Sequence, residues 1–391
     1  MPSRVGLLTL PLHKNYGGIL QAAALYKYLT SCGVEVVLLE RAQPKTWLRR
    51  AATAISWALP KVHGVVEGNG AISIAVASVL TRNKRISRKT DALRRLLSNQ
   101  RFIEEFLPTR SGLLRNSNEM RRAIGRFNLD AVIVGSDQVW RPDYMPDGAV
   151  RDFFLGFAEG TPVRLISYAA SFGHGQWHYR GYTSEVADLL SRFTAVSVRE
   201  SSGVEICRDV FGRSGVVHAA DPTLLVDPGF YNEVAVPPTT KSGKVIFAYI
   251  LDQNVGARSI VGEVAASLTE AYSVRSVDLG EESSLLSIGG WVRSIMDADF
   301  VITDSFHGMV FSIIFRKNFL AIVNQKRGAD RFTSLANILG LEERLIDTKS
   351  MTRVGELAVR PIDHDAVALR LQAHREKSRN FIRDAVGMME P

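Results

Sequence analysis

The chain has 391 residues, 46% hydrophobic and 23% charged, with a formal net charge of +8. That is the composition of a globular protein long enough for two cores, and it excludes disordered, collagenous and disulfide-stapled classes. Two cysteines, Cys32 and Cys207, fit no zinc or disulfide framework, so a reducing, cytoplasmic setting is expected. The opening residues lack a signal peptide's apolar core and small-residue cleavage site, and no uninterrupted apolar run reaches the roughly 20 residues that span a bilayer.

Val5 to Leu10 predicts a strand, His13-Lys14-Asn15-Tyr16-Gly17-Gly18 a flexible loop, Ile19 to Leu29 a helix closed by Gly33, and Val34 to Leu39 a second strand. Such a β-loop-α-β opening suits a Rossmann-like half. Residues 41–126 then hold 18 Lys and Arg against 5 Asp and Glu, which leaves the rest of the chain net acidic. Within this segment Arg82, Lys84, Arg85, Arg88, Lys89, Arg94, Arg95 and Arg101 interleave with Ile86, Leu93, Leu96 and Leu97, as on a basic amphipathic helix. Trp47, Ile55, Trp57, Leu59 and the apolar run from Ala71 to Leu80 add interfacial character. The segment suits peripheral contact with an anionic membrane at its inner face, or a pyrophosphate-bearing lipid. A solvated helix pair packed by its Leu face is the alternative. No nucleic-acid module accompanies it.

Ala131 to Val134 predicts the next strand, ending in Gly135-Ser136-Asp137-Gln138-Val139-Trp140. Leu165 to Ala170 and Ala195 to Val198 follow, the latter closing with Arg199-Glu200-Ser201, and Val216-Val217 lead into Asp221-Pro222-Thr223. Pro228, Pro237 and Pro238, with the run Thr239 to Gly243, have linker composition. Beyond them the rhythm resumes: strands at Lys244 to Leu251, Val274 to Leu279, Phe300 to Ile302 and Phe319 to Val323, and helices near Gly262 to Ala271, Met309 to Phe315, Arg331 to Leu339 and His364 to Met388. The expected fold is α/β: two Rossmann-like domains facing a cleft, with a basic helical insertion at about 41–126 in the first. The first domain spans 1–235 and the second 244–362, and a terminal helix in 363–391 packs back on the first.

The junction Thr303-Asp304-Ser305-Phe306-His307-Gly308 lies where a strand ends and a helix begins. In open α/β sheets ligands bind at such ends, and helix-start amides suit an anion. His307 can exchange a proton near neutral pH or hold a phosphate as a cation. The plainer reading is an N-cap by Asp304 or Ser305, with Gly308 there for close packing.

In chain order, Asn15-Tyr16-Gly17-Gly18 with Gln21, Gly135 to Trp140, Ser197-Val198-Arg199-Glu200-Ser201, Asp221-Pro222-Thr223 and Asp304 to Gly308 resemble the motifs of the polysaccharide pyruvyl transferase family. The resemblance runs from about residue 5 to residue 345 and leaves out the basic insertion. It implies a fold like that of B-type glycosyltransferases. The implied reaction moves pyruvate from phosphoenolpyruvate onto two hydroxyls of one sugar, forming a cyclic ketal and releasing phosphate. The acceptor is a cell-surface polysaccharide or its lipid-linked precursor. Phosphoenolpyruvate is a substrate, and no cofactor or metal is implied. Some relatives carry an Arg two residues before the motif His as a donor ligand. Here that place is Ser305, so the anion contact comes from elsewhere or from a hydroxyl.

A carboxylate and a phosphate call for cations, and Arg matches both bidentately. Arg199 corresponds to a donor-binding Arg of relatives, with a helix-capping ion pair to Glu200 or a nearby carboxylate as the alternative, and Lys326-Arg327 form a second cationic pair or an exposed basic turn. Ser305 and Gly308 complete the donor side. His307 is the general acid for the methylene carbon, or the cation on the departing phosphate. Asp137 is the base for the hydroxyl, or its ligand, with an Asx-turn as the alternative. On the acceptor side stand Asn15, Tyr16, Gly17, Gly18, Gln138 and Trp140, with Tyr16 and Trp140 as stacking faces or as buried packing. His174 and Trp177 are weaker cleft candidates. A nucleotide-sugar glycosyltransferase and a non-catalytic glycan-binding protein of the same fold are the rival readings.

Overall fold

The computed structural model describes residues 3–12, 15–42, 97–146, 148–238, 243–252, 255–268, 271–278, 286–323, 328–347 and 353–387. Seven parallel strands form the first sheet: β1 (Arg4–Leu8), β2 (Glu35–Arg41), β3 (Arg110–Leu114), β4 (Ala131–Gly135), β5 (Arg164–Ala170), β6 (Ala195–Val198) and β7 (Val217–His218). Their order is β3-β2-β1-β4-β5-β6-β7. The second sheet holds β8 (Lys244–Ile250), β9 (Tyr272–Asp278), β10 (Phe300–Thr303), β11 (Asn318–Ile322) and β12 (Leu345–Ile346), in the order β12-β11-β10-β8-β9. The continuous apolar runs of β1, β4, β5 and β10 follow from helices covering both faces of parallel sheets.

Strand order reverses beside β1, which pairs Leu8 with Leu39 of β2 and with Val134 of β4. It reverses again between β10 and β8, where Thr303 lies opposite Tyr249. Crevices open at the carboxyl ends of strands at such points. The helices that matter for them are α1 (Tyr16–Ser31), α2 (Ser117–Arg126), α3 (Thr183–Ser191), α4 (Val255–Ser267), α5 (Ile288–Asp297), α6 (Phe306–Ile314), α7 (Ala329–Leu339) and α8 (His364–Val386).

Each lobe has an outer core of its own, around Trp140, Phe153 and Phe154 in the first and around Ile246, Ile260 and Ile302 in the second. A third apolar cluster runs across the boundary, from Val5, Leu20 and Tyr168 to Tyr249, Trp291, Phe311 and Ile382. Tyr16 is its pivot. From the start of α1 the Tyr16 ring stacks on Trp291 of α5 at 5.7 Å, and its hydroxyl donates to the Leu286 carbonyl at 2.6 Å.

Helix α8 starts on the cap Asp363, whose Oδ1 accepts from Asp365 N and Ala366 N, and stops at Gly387 in the left-handed region. It straps both lobes. Ser378 Oγ accepts from Ala220 N at 2.8 Å, Arg375 and Arg379 donate to the carbonyls of Leu224 and Leu225, and Arg370 donates to the Leu339 carbonyl at the end of α7.

Two differences from the sequence reading bear on the site. Gly17 and Gly18 lie in the first turn of α1 and not in a loop before it. Residues 110–126, read within the basic insertion, supply β3 and α2, and β3 pairs with β2 in the sheet. Of the amphipathic pattern from Arg82 to Arg101, residues 82–96 lie outside the described residues, and 97–106 are helical.

Candidate active site at the lobe boundary

The turn after β4 is built by its own glycine and by α1. At Gly135 φ is +140°, and a Cβ there would lie 2.0 Å from the Tyr168 carbonyl oxygen, so only glycine fits. Ser136 N donates to Gln21 Oε1 at 3.1 Å, while Gln21 Nε2 donates to Thr9 Oγ1 and to the Gly18 carbonyl. Asp137 follows at φ +69°, a region that Asp tolerates better than most residues. Its carbonyl accepts from Val139 N and Ser171 N. Its carboxylate is left to face Asn15 Nδ2 through Oδ2 and Arg199 Nη2 through Oδ1, both at 3.5 Å.

Arg199, at the end of β6, is buried among three carboxylates: Asp221 Oδ2 at 2.8 Å from Nη1, Asp137 from Nη2, and Glu200 Oε1 at 3.5 Å from Nε. Burial alone would depress the guanidinium, but Asp221, Glu200 and Asp137 reverse this and raise it above its ordinary value. Burial pushes the Glu200 carboxyl up, against the pull of Arg199. Asp221 goes the other way. Burial by itself would raise it, but His307, Arg199 and Thr223 hold it well below the usual carboxylate range.

Across the boundary, Ser305 caps α6 by accepting from Gly308 N at 3.4 Å, and Gly308 rests on the Thr303 side chain. Asp304 does not cap the helix. It accepts from Leu251 N at 2.6 Å and from Asp252 N at 2.8 Å, fastening the end of β10 to that of β8. Capping thus sends His307 back toward the first lobe. Its Nε2 lies 3.6 Å from Asp221 Oδ2, and the other side of its ring rests on Gly17. The Phe306 ring meets two guanidinium groups, Arg199 at 4.8 Å and Arg331 at 5.5 Å. Arg331 is buried, and burial together with Arg199 lowers it to about 10.

A cavity of about 170 Å³ opens at the β1/β4 reversal, lined by Thr9 to Leu12, Asn15, Gly18, Asp137, Gln138 and Tyr144 among others. Through Thr9 to Leu12 it adjoins a larger one of about 590 Å³, bounded by the end of β2, Ile103, Pro108 and Arg110.

The structure therefore gathers Asn15, Gly17, Gly18, Asp137, Arg199 and His307, with Gln138 beside them and its Oε1 accepting from Arg141 Nη1. Two predicted acceptor contacts are corrected. Tyr16 is fully buried in the aromatic group between the lobes. Trp140 is equally buried, stacked on Phe154 and bonded through Nε1 to the Phe153 carbonyl. Neither ring lines either of these two cavities. Trp177 packs on Phe172 and Phe211 and donates to Thr183, while His174 pairs with His178 at 5.3 Å. Lys326 and Arg327 lie outside the described residues.

The sequence marks Arg331 only as a helix start and Asp221 only as part of a motif, whereas Glu200 is an expected ion-pair partner of Arg199 and lies 3.5 Å from its Nε. No local spacing marks Arg331, which reaches the site by packing alone. Among the described residues no group of three or more His, Cys, Asp or Glu side chains gathers to hold a metal ion, and no helix is long and apolar enough to cross a membrane.

A family model described as polysaccharide pyruvyl transferase matches residues 15–326. No curated protein matches the chain. Among solved structures, Arabidopsis thaliana UGT89C1 complexed with UDP-L-rhamnose aligns at 10% identity over 99% of each chain, with a TM-score of 0.51. Acinetobacter baumannii MurG aligns at 13% identity over 99% of this chain and 100% of its own (TM-score 0.45), and S. aureus MnaA-UDP at 13% over 100% and 98% (TM-score 0.47). The likeness to UGT89C1 is one of fold, two Rossmann-like lobes of the glycosyltransferase B type, in keeping with the two parallel sheets.

Proposed function

The chain belongs to the polysaccharide pyruvyl transferase family, and from that premise we propose that it transfers pyruvate from phosphoenolpyruvate to two hydroxyls of one sugar, forming a cyclic ketal. The observation that carries this reading is the meeting of Arg199 and Asp137 from one lobe with His307 from the other, beside a cavity at the strand reversal.

The reaction needs an anion site, a proton for the donor's methylene carbon and a base for the incoming hydroxyl. Arg199 Nη1 stays with Asp221, while its Nη2 contact to Asp137 is long enough for a donor carboxylate to compete there. Arg331 supplies further positive charge nearby, and Lys326 and Arg327 follow β11 in the sequence. His307 protonates the methylene carbon as the first hydroxyl bonds to the adjacent carbon, and Asp137 takes that hydroxyl's proton. The bond from this carbon to the phosphate oxygen then breaks. The second hydroxyl closes the ring on the same carbon, and its proton leaves with the phosphate.

The sugar occupies the 170 Å³ cavity, and the rest of the acceptor, a polysaccharide or its lipid-linked precursor, extends into the 590 Å³ one. Calorimetric titration with phosphoenolpyruvate, beside a panel of nucleotide sugars, tests the reading. Binding of phosphoenolpyruvate, followed by phosphate release on adding acceptor, supports it. Binding of a nucleotide sugar and not of phosphoenolpyruvate overturns it in favour of glycosyl transfer.

A further inference from the structure

Asp221 takes no part in the steps above, yet its carboxylate faces both Arg199 and His307. Its Oδ1 accepts from Thr223 N at 3.0 Å and from Thr223 Oγ1 at 2.7 Å, the ordinary work of a cap on the turn Pro222–Leu224. That work uses one oxygen. The other, Oδ2, lies 2.8 Å from Arg199 Nη1, 3.4 Å from Ser136 Oγ and 3.6 Å from His307 Nε2. These partners come from the ends of β6 and β4 and from α6 of the opposite lobe. A turn cap needs none of them.

The surroundings sharpen the effect. Asp221 is 2% exposed, and the nearby hydroxyls of Tyr168 and Tyr231 donate to the carbonyls of Ala220 and Thr223 and not to the carboxylate. In so dry a place an ionised oxygen acts strongly on the few donors that face it. Among the described residues His307 Nε2 has no hydrogen-bond partner otherwise. Its 3.6 Å separation from Oδ2 is just past a hydrogen bond, a length that commonly tightens when substrate binds.

The geometry points to Asp221 as the positioning residue of this site: one carboxylate that fixes Arg199 through Nη1 and His307 through Nε2, and so sets the spacing of guanidinium and imidazole across the lobe boundary. A carboxylate facing Nε2 keeps the ring proton on that nitrogen and determines the tautomer. The catalytic value of this arrangement rests on the pyruvyl-transfer reading, whereas the anchoring does not.

The two are separated by reading the ring directly. In the full-length protein, ¹⁵N–¹H correlation spectra of the histidine rings, with His307 identified by its loss in His307→Gln, give the tautomer without any substrate. The native ring carries its proton on Nε2. Asp221→Asn removes that preference and lowers kcat/KM for phosphoenolpyruvate by about 10²-fold, the scale of a displaced reacting group. Tyr231→Phe, which loosens the same turn without touching the carboxylate, changes neither.

A native His307 protonated on Nδ1 alone overturns the proposal, even if Asp221→Asn fails to fold. So does a folded Asp221→Asn that keeps the Nε2 proton and a kcat/KM within about threefold of native, under ~1 kcal/mol of barrier. If the tautomer follows Asp221 but the native protein releases no phosphate from phosphoenolpyruvate, the anchor stands and the pyruvyl-transfer reading falls.

Discussion

Replacing Gly17 by alanine tests the site at its tightest point. A Cβ built there lies 2.0 Å from His307 Nδ1, 2.2 Å from Cγ and 2.7 Å from Cε1. Ordinary contact between such atoms is about 3.5 Å, so ring and methyl must part by about 1.5 Å. The ring has no such slack on its far side, where Asp221 Oδ2 is already 3.6 Å from Nε2. Either His307 leaves its rotamer or the lobes separate.

The two consequences differ in size. Overpacking costs about 1–3 kcal/mol, while alanine recovers up to about 1 kcal/mol of helix propensity over glycine. The net loss of stability is therefore at most about 3 kcal/mol, read as a shift in urea midpoint. A reacting group moved by more than an ångström costs about 10²-fold or more in rate. Gly17→Ala should thus stay folded and lose turnover far out of proportion to stability, with urea unfolding and phosphate release measured on one preparation. A variant with turnover within about threefold of native, under ~1 kcal/mol of barrier, would refute the reasoning, because His307 would then be free to move without consequence.

The remaining predictions concern residues whose surroundings the structure fixes. Arg199→Ala leaves three buried carboxylates without their shared cation and should cost about 3–5 kcal/mol in chemical unfolding. Arg199→Lys keeps the charge but loses the fork, so calorimetry should find weaker phosphoenolpyruvate binding in a folded protein. Trp140→Ala should cost about 3–5 kcal/mol, and Trp140→Phe should leave the acceptor KM unmoved, as suits a core ring. His374 and His218 lie 5.3 Å apart, where burial and each other's proximity push His374 down to about 4 and burial lowers His218. Both bind a proton less readily folded than unfolded. Their contribution is therefore complete above about pH 6.5 and lost as pH falls toward 4, about 3 kcal/mol for His374 alone. Urea midpoints between pH 7.5 and 4.5 should fall accordingly, and His374→Leu should flatten the slope.

Apolar runs and turn residues were enough to place the strands of both sheets apart from β3 and the two-residue strands β7 and β12, because parallel strands buried on both faces are written as unbroken Val, Ile and Leu. Strand β3 was missed because its sequence, Arg-Ser-Gly-Leu-Leu, is that of a sheet edge, polar at one end and set within a strongly basic stretch. The motif turns were legible for the same reason. Gly135 and Asp137 take backbone conformations that few residues accept. What pattern could not supply was which side of a turn faces inward. Tyr16 and Trp140 carry a stacking ring next to motif glycines and polar residues, a composition shared by sugar sites and aromatic cores. Only the three-dimensional neighbours, Trp291 for one and Phe154 for the other, decide between them. Arg331 was illegible for a related reason, since it joins Arg199 through the Phe306 ring, and no spacing along the chain encodes that meeting.

The opening motif gains a different meaning from this placement. The sequence of Asn15-Tyr16-Gly17-Gly18 suggests a flexible loop on the acceptor side, yet from Tyr16 onward it is the first turn of a helix pressed against the other lobe. Each residue has one task there. Tyr16 drives its ring into the aromatic group around Trp291 and Tyr249, which ties α1 to the second lobe. Gly17, one residue on, leaves the gap that the His307 ring fills, and Gly18 lies close against the Asp137 carboxylate. A larger residue at Gly17 would hold the lobes apart, and a smaller one at Tyr16 would let them drift. Docking and catalytic geometry thus share a single turn of helix, so any change that loosens the lobe contact must also change the distance from His307 to Asp221.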